Sequence, residues 1–343
     1  MSRSPYTLLD TAVAPGKQAL IEIPVARSVA GQMQMLPVHV FHGKSDGPVL
    51  AISAAIHGDE ISGVEIARRL ARKVKASKLA GTLLIVPVVN LFGFVAGSRY
   101  LPDRRDLNRS FPGREQGPLA SRLAYLFRTE VLERADFAID LHSAAIHRYN
   151  LPQIRVSPDA KRAVELARAF SPPIVIHSPL RENSLRALAM EAGVEMLLYE
   201  AGEALRLDSF STRIGVNGIL RTMEAMGMLE LKPRKRSILP PLEATRSMWV
   251  RAPRAGMVAL RVASGSRVER NELLGKIADP VRSDESAILS PISGLVIGDS
   301  RHGVANRGDA LLHIAQLGED EGELDPETEE RLSGVMLDEH EIV

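Results

Sequence analysis

The chain has 343 residues, no cysteine and a formal net charge of +1. Disulfides, thiolate nucleophiles and cysteine-ligated zinc or iron–sulfur centres are therefore excluded, and any metal must be held by His, Asp or Glu. The near-zero charge hides an asymmetry: residues 319–343 hold eleven acidic side chains against one basic, Arg331, so this tail carries −10 and the preceding 318 residues +11. Poor in large apolar residues, residues 318–343 are expected to be solvated and partly disordered. The basic body shows no aromatic-interleaved basic patch, so no nucleic-acid partner is expected. No segment reaches about 18 uninterrupted apolar residues, so no membrane partner is expected either. Residues 1–16 lack the basic region and apolar core of a secretory signal, which leaves the cytoplasm as the default compartment.

Residues 1–48 read as a β-hairpin region, with alternating β-branched strands at 20–25 and 36–41. From Pro48 the pattern changes. The continuous apolar runs at 49–56 and 81–90 are expected of strands buried on both faces of a sheet. Helical periodicity follows at 60–75, at 119–133 behind Pro118, at 157–170 behind a Ser157 cap, and at 213–226. Further strands are expected at 136–141, 174–176 and 194–199. Strands alternating with helices predict an α/β domain over 49–232 with a mixed central sheet flanked by helices. A basic, proline-rich linker at 231–242 ends it.

Residues 233–317 differ. Ala252-Pro-Arg-Ala-Gly-Met-Val258 with 273–277 is echoed by Ser290-Pro-Ile-Ser-Gly-Leu-Val296 with 310–314. Two such halves predict a small all-β C-terminal barrel-sandwich domain. It is similar to lipoyl and biotinyl carriers, but the turn at 279–286 has no lysine to modify. An architectural part shaping the mouth of a site is expected instead.

The chemistry-bearing pattern begins at His57-Gly58-Asp59-Glu60, where a buried strand gives way to a helix. Ligands bind beyond the carboxyl ends of strands in such sheets. His57 and Glu60 can converge on one ion, and His142 of Asp140-Leu-His142 closes another strand. Two histidines and a glutamate make a set that leaves a fourth zinc position for water. Asp140 is placed to orient the His142 ring. Glu200, expected to end the strand at 194–199, is the candidate base; Glu195 and Glu203 rank below it. Between them lies an arginine-dense loop, 99–113, in which Asn108 and Arg109 could clamp a carboxylate and another arginine could stabilise an oxyanion. Taken alone, that loop could equally be a solvated segment knit by its own aspartates.

The set His57-x-x-Glu60, Asp106-Leu-Asn108-Arg109-x-Phe111, Asp140-Leu-His142 and Glu200 before Gly202, in this order, resembles the succinylglutamate desuccinylase/aspartoacylase family of the zinc carboxypeptidase superfamily. The resemblance spans about residues 20–316 and implies a zinc-carboxypeptidase-like fold. It implies one Zn(2+) per chain on His57, Glu60 and His142, Glu200 as general base, and Asn108 with Arg109 on the substrate carboxylate. Arg99 fits the oxyanion role best. Two extra residues between Arg99-Tyr100 and the Asp106 motif leave Arg104 and Arg105 as alternatives, and the C-terminal domain has none of the five tyrosines. The expected reaction is hydrolysis of a small acidic N-acyl amino acid by Glu-assisted attack of zinc-bound water. The rival readings are a metallocarboxypeptidase acting on short peptides and a non-catalytic metal-binding module. A homo-oligomer is the general expectation for the quaternary state.

Overall fold

A computed structural model describes residues 3–232 and 240–318. The acidic tail from residue 319 and most of the linker lie outside the described residues. A small hairpin, β1 (Tyr6–Leu8) and β2 (Thr11–Val13), opens the chain. It is followed by β3 (Lys17–Arg27), β4 (Met33–His42), β5 (Ser45–Ala54), α1 (Ile61–Lys73), β6 (Ala80–Val86), α2 (Leu91–Ala96) and α3 (Leu119–Glu130). Then come β7 (Phe137–Ala144), β8 (Arg148–Val156), α4 (Lys161–Phe170), β9 (Ile174–His177), α5 (Leu185–Glu191), β10 (Glu195–Glu203) and α6 (Ser209–Ala225). The C-terminal region is all β: β11 (Leu242–Ala244), β12 (Arg246–Arg251), β13 (Gly256–Leu260), β14 (Arg267–Val268), β15 (Leu273–Ala278), β16 (Glu285–Leu289), β17 (Gly294–Ser300), β18 (Val304–Ala305) and β19 (Ala310–Gln316).

The expected mixed α/β architecture is present. β5 lies between β6 and β7, both parallel to it, and β10 runs parallel to β7. Their apolar runs are buried on both faces because alternate residues enter two different cores. Ile52, Ile139, Leu197 and Tyr199 pack with α1, α4 and α6. Ala51, Ala138 and Met196 face the opposite way, toward α3 and α5. Packing on the first face is close. A Cβ at Gly218 of α6 would lie 2.2 Å from the Phe170 ring of α4, so only glycine lets these helices meet there. Tyr199, fully buried on that face, is satisfied by donating its hydroxyl to the Ser211 carbonyl at 2.7 Å.

Several features differ from the sequence expectation. β8, an antiparallel neighbour of β10, was not foreseen. β10 does not stop at Tyr199 but runs through Glu203, with a bulge between Glu200 and Gly202 that Gly202 accommodates at φ 76°. α6 starts a turn earlier than residue 213, because Asp208 caps it by accepting from the Phe210 and Ser211 amides. The all-β region is not a separate body hanging from a linker. β17 pairs with β8, so β8, β17, β19 and β12 continue the central sheet. A second, four-stranded sheet of β16, β15, β13 and β18 faces that extension across its own apolar core. No helix among the described residues is long and apolar enough to cross a membrane.

A candidate metal centre at the strand ends

The centre forms where the second sheet face turns polar. Ser53, Asp140 and Glu200 follow Ala51, Ala138 and Met196 on their strands by even steps, so they inherit the same face, and His142 follows Asp140. β5 ends at Ala54 and the chain turns through Ala55 at φ 52° into His57–Glu60, which leads into α1. Gly58 is required there: a Cβ would lie 2.0 Å from the Gly93 carbonyl carbon of α2.

His57, Glu60 and His142 are all buried and their donor atoms lie within 4.8 Å of one another. His57 Nδ1 is 2.7 Å from Glu60 Oε1, and His142 Nδ1 is 2.8 Å from Glu60 Oε2. Each ring is held from behind by a carboxylate. His57 Nε2 faces Asp106 Oδ1 at 3.1 Å, and His142 Nε2 faces Asp140 Oδ2 at 2.7 Å. Asp140 is in turn fixed by the Ser53 hydroxyl at 2.7 Å. A proton on each Nε2 leaves both Nδ1 lone pairs aimed at a carboxylate, which also has none to donate. Three buried acceptors in contact call for positive charge. Burial would push Glu60 up, but the two imidazoles hold it well below the ordinary carboxylate range. Burial would push His142 down, yet Asp140 and Glu60 draw it well above the ordinary histidine value. A divalent cation meets the same demand with the imidazoles neutral, and two nitrogens with one carboxylate suit zinc's preferences. The site could therefore hold a metal.

The other expected residues are placed differently. Arg99 reaches the centre: its Nη2 is 3.0 Å from Asp106 Oδ2 and its Nη1 3.4 Å from Glu60 Oε1. Arg104 and Arg105 are exposed. Glu200 stands outside the triad but opposite His142 in the β10–β7 register, on the same face. Its Oε2 accepts from Asn150 Nδ2 at 3.0 Å. Asn108 accepts the Leu185 amide at 2.9 Å, tying the arginine loop to α5. Arg109 is exposed and donates to the Asn108 carbonyl rather than pointing at the centre. Asp106, which in sequence stands out only as part of the Asp-Leu-Asn-Arg motif, contacts His57 and is the counterpart of Asp140. The appendage reaches this neighbourhood as well: the Arg301 amide donates to the His147 carbonyl at 2.8 Å, and the His147 and His302 rings meet edge-on at 5.2 Å.

Asp140→Asn is expected to weaken metal binding by roughly 10–100-fold without unfolding the protein, because the ring loses its carboxylate anchor while keeping Nδ1. Competition with a chromophoric chelator measures this, and unchanged affinity would remove Asp140 from the centre.

A mixed α/β sheet with a buried His–His–Glu set beyond its strand ends defines an α/β protein with a candidate metal centre. Residues 46–226 match the family model described as the succinylglutamate desuccinylase/aspartoacylase catalytic domain, and the chain belongs to that family. It is 28% identical over 301 residues to the N-alpha-acetyl-L-2,4-diaminobutyric acid deacetylase of Halomonas elongata, covering 84% of this chain and 87% of the relative. It is 30% identical over 203 residues to a succinylglutamate desuccinylase of Pseudomonas aeruginosa, covering 54% of this chain and 55% of that protein. The crystal structure of a succinylglutamate desuccinylase/aspartoacylase from Rhodobacter sphaeroides superimposes with a TM-score of 0.78 at 25% identity, covering 88% of this chain and 96% of the other.

Proposed function

We propose that this chain is a zinc-dependent hydrolase that cleaves the amide bond of a small acidic N-acyl amino acid. The observation that carries the reading is the meeting of two Nδ1 atoms on one buried carboxylate, each imidazole backed by its own aspartate, in a chain of this family. Deacylation by the diaminobutyrate and succinylglutamate relatives supports the substrate class.

His57, Glu60 and His142 would hold the zinc, which supplies a Lewis acid able to make water a nucleophile near neutral pH. Glu200 takes a proton from the attacking water and passes it to the nitrogen of the leaving amine. The new C–O bond forms first and places negative charge on the carbonyl oxygen; the C–N bond then breaks as its nitrogen takes the proton, giving a carboxylic acid and a free amino acid. Arg99 turns from Glu60 toward the carbonyl oxygen and balances the charge that develops there. Asn108 and Arg109 hold the substrate carboxylate, Arg109 by leaving its own loop carbonyl for a stronger ionic acceptor.

Arg99→Ala is expected to lower kcat roughly 100-fold at unchanged zinc content, the usual cost of removing an oxyanion donor. Arg104→Ala and Arg105→Ala should stay within about twofold of wild type, as for other surface changes. The opposite ranking would move the role to one of them. The overall reading is tested by measuring amine release from N-acetyl, N-succinyl and N-formyl amino acids beside short acidic peptides. Turnover of at least one N-acyl amino acid is expected. Cleavage of the peptides alone would make the chain a carboxypeptidase, and no cleavage of any would end the hydrolase reading.

A further inference from the structure

A cavity of about 350 Å³ lies behind the centre, on the α6 side of the central sheet. Asn150 points to the centre's face, where it holds Glu200; its neighbour Tyr149 points the other way and donates its hydroxyl to Asp208 at 2.8 Å. Tyr149 and Glu203 form the sheet wall, Leu207 and Phe210 the wall toward α6, and Asp299 and Arg301 the wall toward the appendage. Neither the metal ligands nor Arg99 and Glu200 line it. The volume is that of a small-molecule pocket, and Leu207 leaves a large apolar side chain 65% exposed beside it.

The charged groups of this cavity are unevenly occupied. Asp208 is taken by the Tyr149 and Ser211 hydroxyls and by the first amides of α6. Glu203 Oε1 accepts the His147 amide at 3.0 Å, and Asp299 Oδ2 accepts the Ser264 amide at 3.0 Å and its hydroxyl at 2.5 Å. Glu203 Oε2 is enclosed and accepts no hydrogen bond among the described residues. Arg206 Nε stands 3.4 Å and Arg301 Nη1 3.6 Å from it, and Arg301 Nε is 3.5 Å from Asp299 Oδ1. These are ion pairs at long range: neither guanidinium donates a hydrogen bond among the described residues, and Arg301 lies over the Tyr149 ring, 4.5 Å from its centre. Two guanidinium forks with unused donors, a carboxylate oxygen of Asp299 and an apolar wall complement a small molecule that carries a carboxylate, an ammonium and an aliphatic body. The segment 203–208 that lines the cavity also backs the centre. The Ala204 amide donates to the Ala144 carbonyl at 2.9 Å and the Leu205 amide to the Asp59 carbonyl at 2.8 Å, next to His142 and Glu60 in the chain. The Ser62 hydroxyl of α1 donates to the Arg206 carbonyl at 2.8 Å.

We propose that this cavity is an effector site for a free α-amino acid with an uncharged, apolar side chain. Its carboxylate sits on Arg206 and Arg301, its ammonium on Asp299 and its side chain on Leu207 and Phe210. Free amino acids are the class of product that hydrolysis releases, so the site reports that class back to the centre; this role rests on the hydrolase reading above, whereas the binding does not. Occupancy draws both guanidiniums away from Glu203 and leaves its enclosed oxygen uncompensated. The 203–208 segment shifts to relieve it, the contacts to Asp59 and Ala144 shift with it, and turnover falls.

The test titrates zinc-loaded wild type, Arg206→Gln and Arg301→Gln with L-leucine, 4-methylvalerate and isopentylamine by calorimetry. It also follows hydrolysis of the preferred N-acyl amino acid with and without saturating L-leucine. Wild type is expected to bind L-leucine at least about tenfold more tightly than either analogue, each of which lacks one charged group, and at least about tenfold more tightly than either variant does. L-leucine should lower the wild-type kcat roughly fivefold, the lower end of coupling between two sites. Without L-leucine each variant should stay within about twofold of the wild-type kcat, as for other surface changes, and L-leucine should leave that kcat unaltered. L-leucine acting at the metal centre would raise KM alone, equally in all three proteins. That result, no binding by wild type, or binding that leaves the wild-type kcat unchanged overturns the proposal. Binding that both variants lose, in a protein that releases no amine from any substrate, would overturn the hydrolase reading and leave the amino-acid site standing.

Discussion

His142→Ala is expected to bind no zinc at stoichiometric concentration and to hydrolyse no N-acyl amino acid. The variant removes one of three protein donors, and zinc hydrolase sites keep three. It also leaves Glu60 and Asp140, both buried, without the imidazole that stands between them. Breaking a buried charged contact by removing one partner costs about 3–5 kcal/mol, so a lower melting temperature is expected alongside the lost metal. His142→Gln separates the two effects, since it restores hydrogen-bonding capacity without a good zinc donor. Zinc retained by both variants would show that the ion sits elsewhere.

Glu200→Gln is expected to retain zinc and to lose roughly 10²–10⁴ in kcat, the span that positioned acid–base groups contribute. The change is isosteric, Glu200 lies outside the donor triad, and the new carbonyl can still accept from Asn150. Normal turnover would move the base to another carboxylate. Glu203 is next on the strand, but its Oε1 accepts the His147 amide at 3.0 Å and its Oε2 lies 3.6 Å from Arg301, toward the appendage.

The donor set was legible because each part sat on a strong local signal. His57-x-x-Glu60 follows an apolar run that could only be a doubly buried strand, and Asp140-Leu-His142 closes another. Alternation along these strands then decides which side chains share a face, and the structure puts Ser53, Asp140, His142 and Glu200 together. β8 gave no such signal. Arg148–Val156 mixes Pro152, Gln153 and Arg155 with apolar residues, and its edge-like composition is rescued by pairing with β10 on one side and with β9 and β17 on the other. These are long-range contacts with no local trace. Missing β8 concealed the continuity of the central sheet with the appendage. β10 extends beyond the expected strand for a related reason: Gly202, at φ 76°, absorbs a bulge and lets pairing resume at Glu203. Arg109 shows the converse, a residue expected at the substrate whose side chain rests on its own loop.

The most direct measurement is the hydrolysis rate of metal-stripped wild-type protein titrated with zinc against its preferred N-acyl amino acid. The rate should rise linearly and break at about one zinc per chain, as a single three-donor site requires. Full turnover by the stripped protein, or stoichiometric zinc uptake with no turnover of any N-acyl amino acid, would contradict the account.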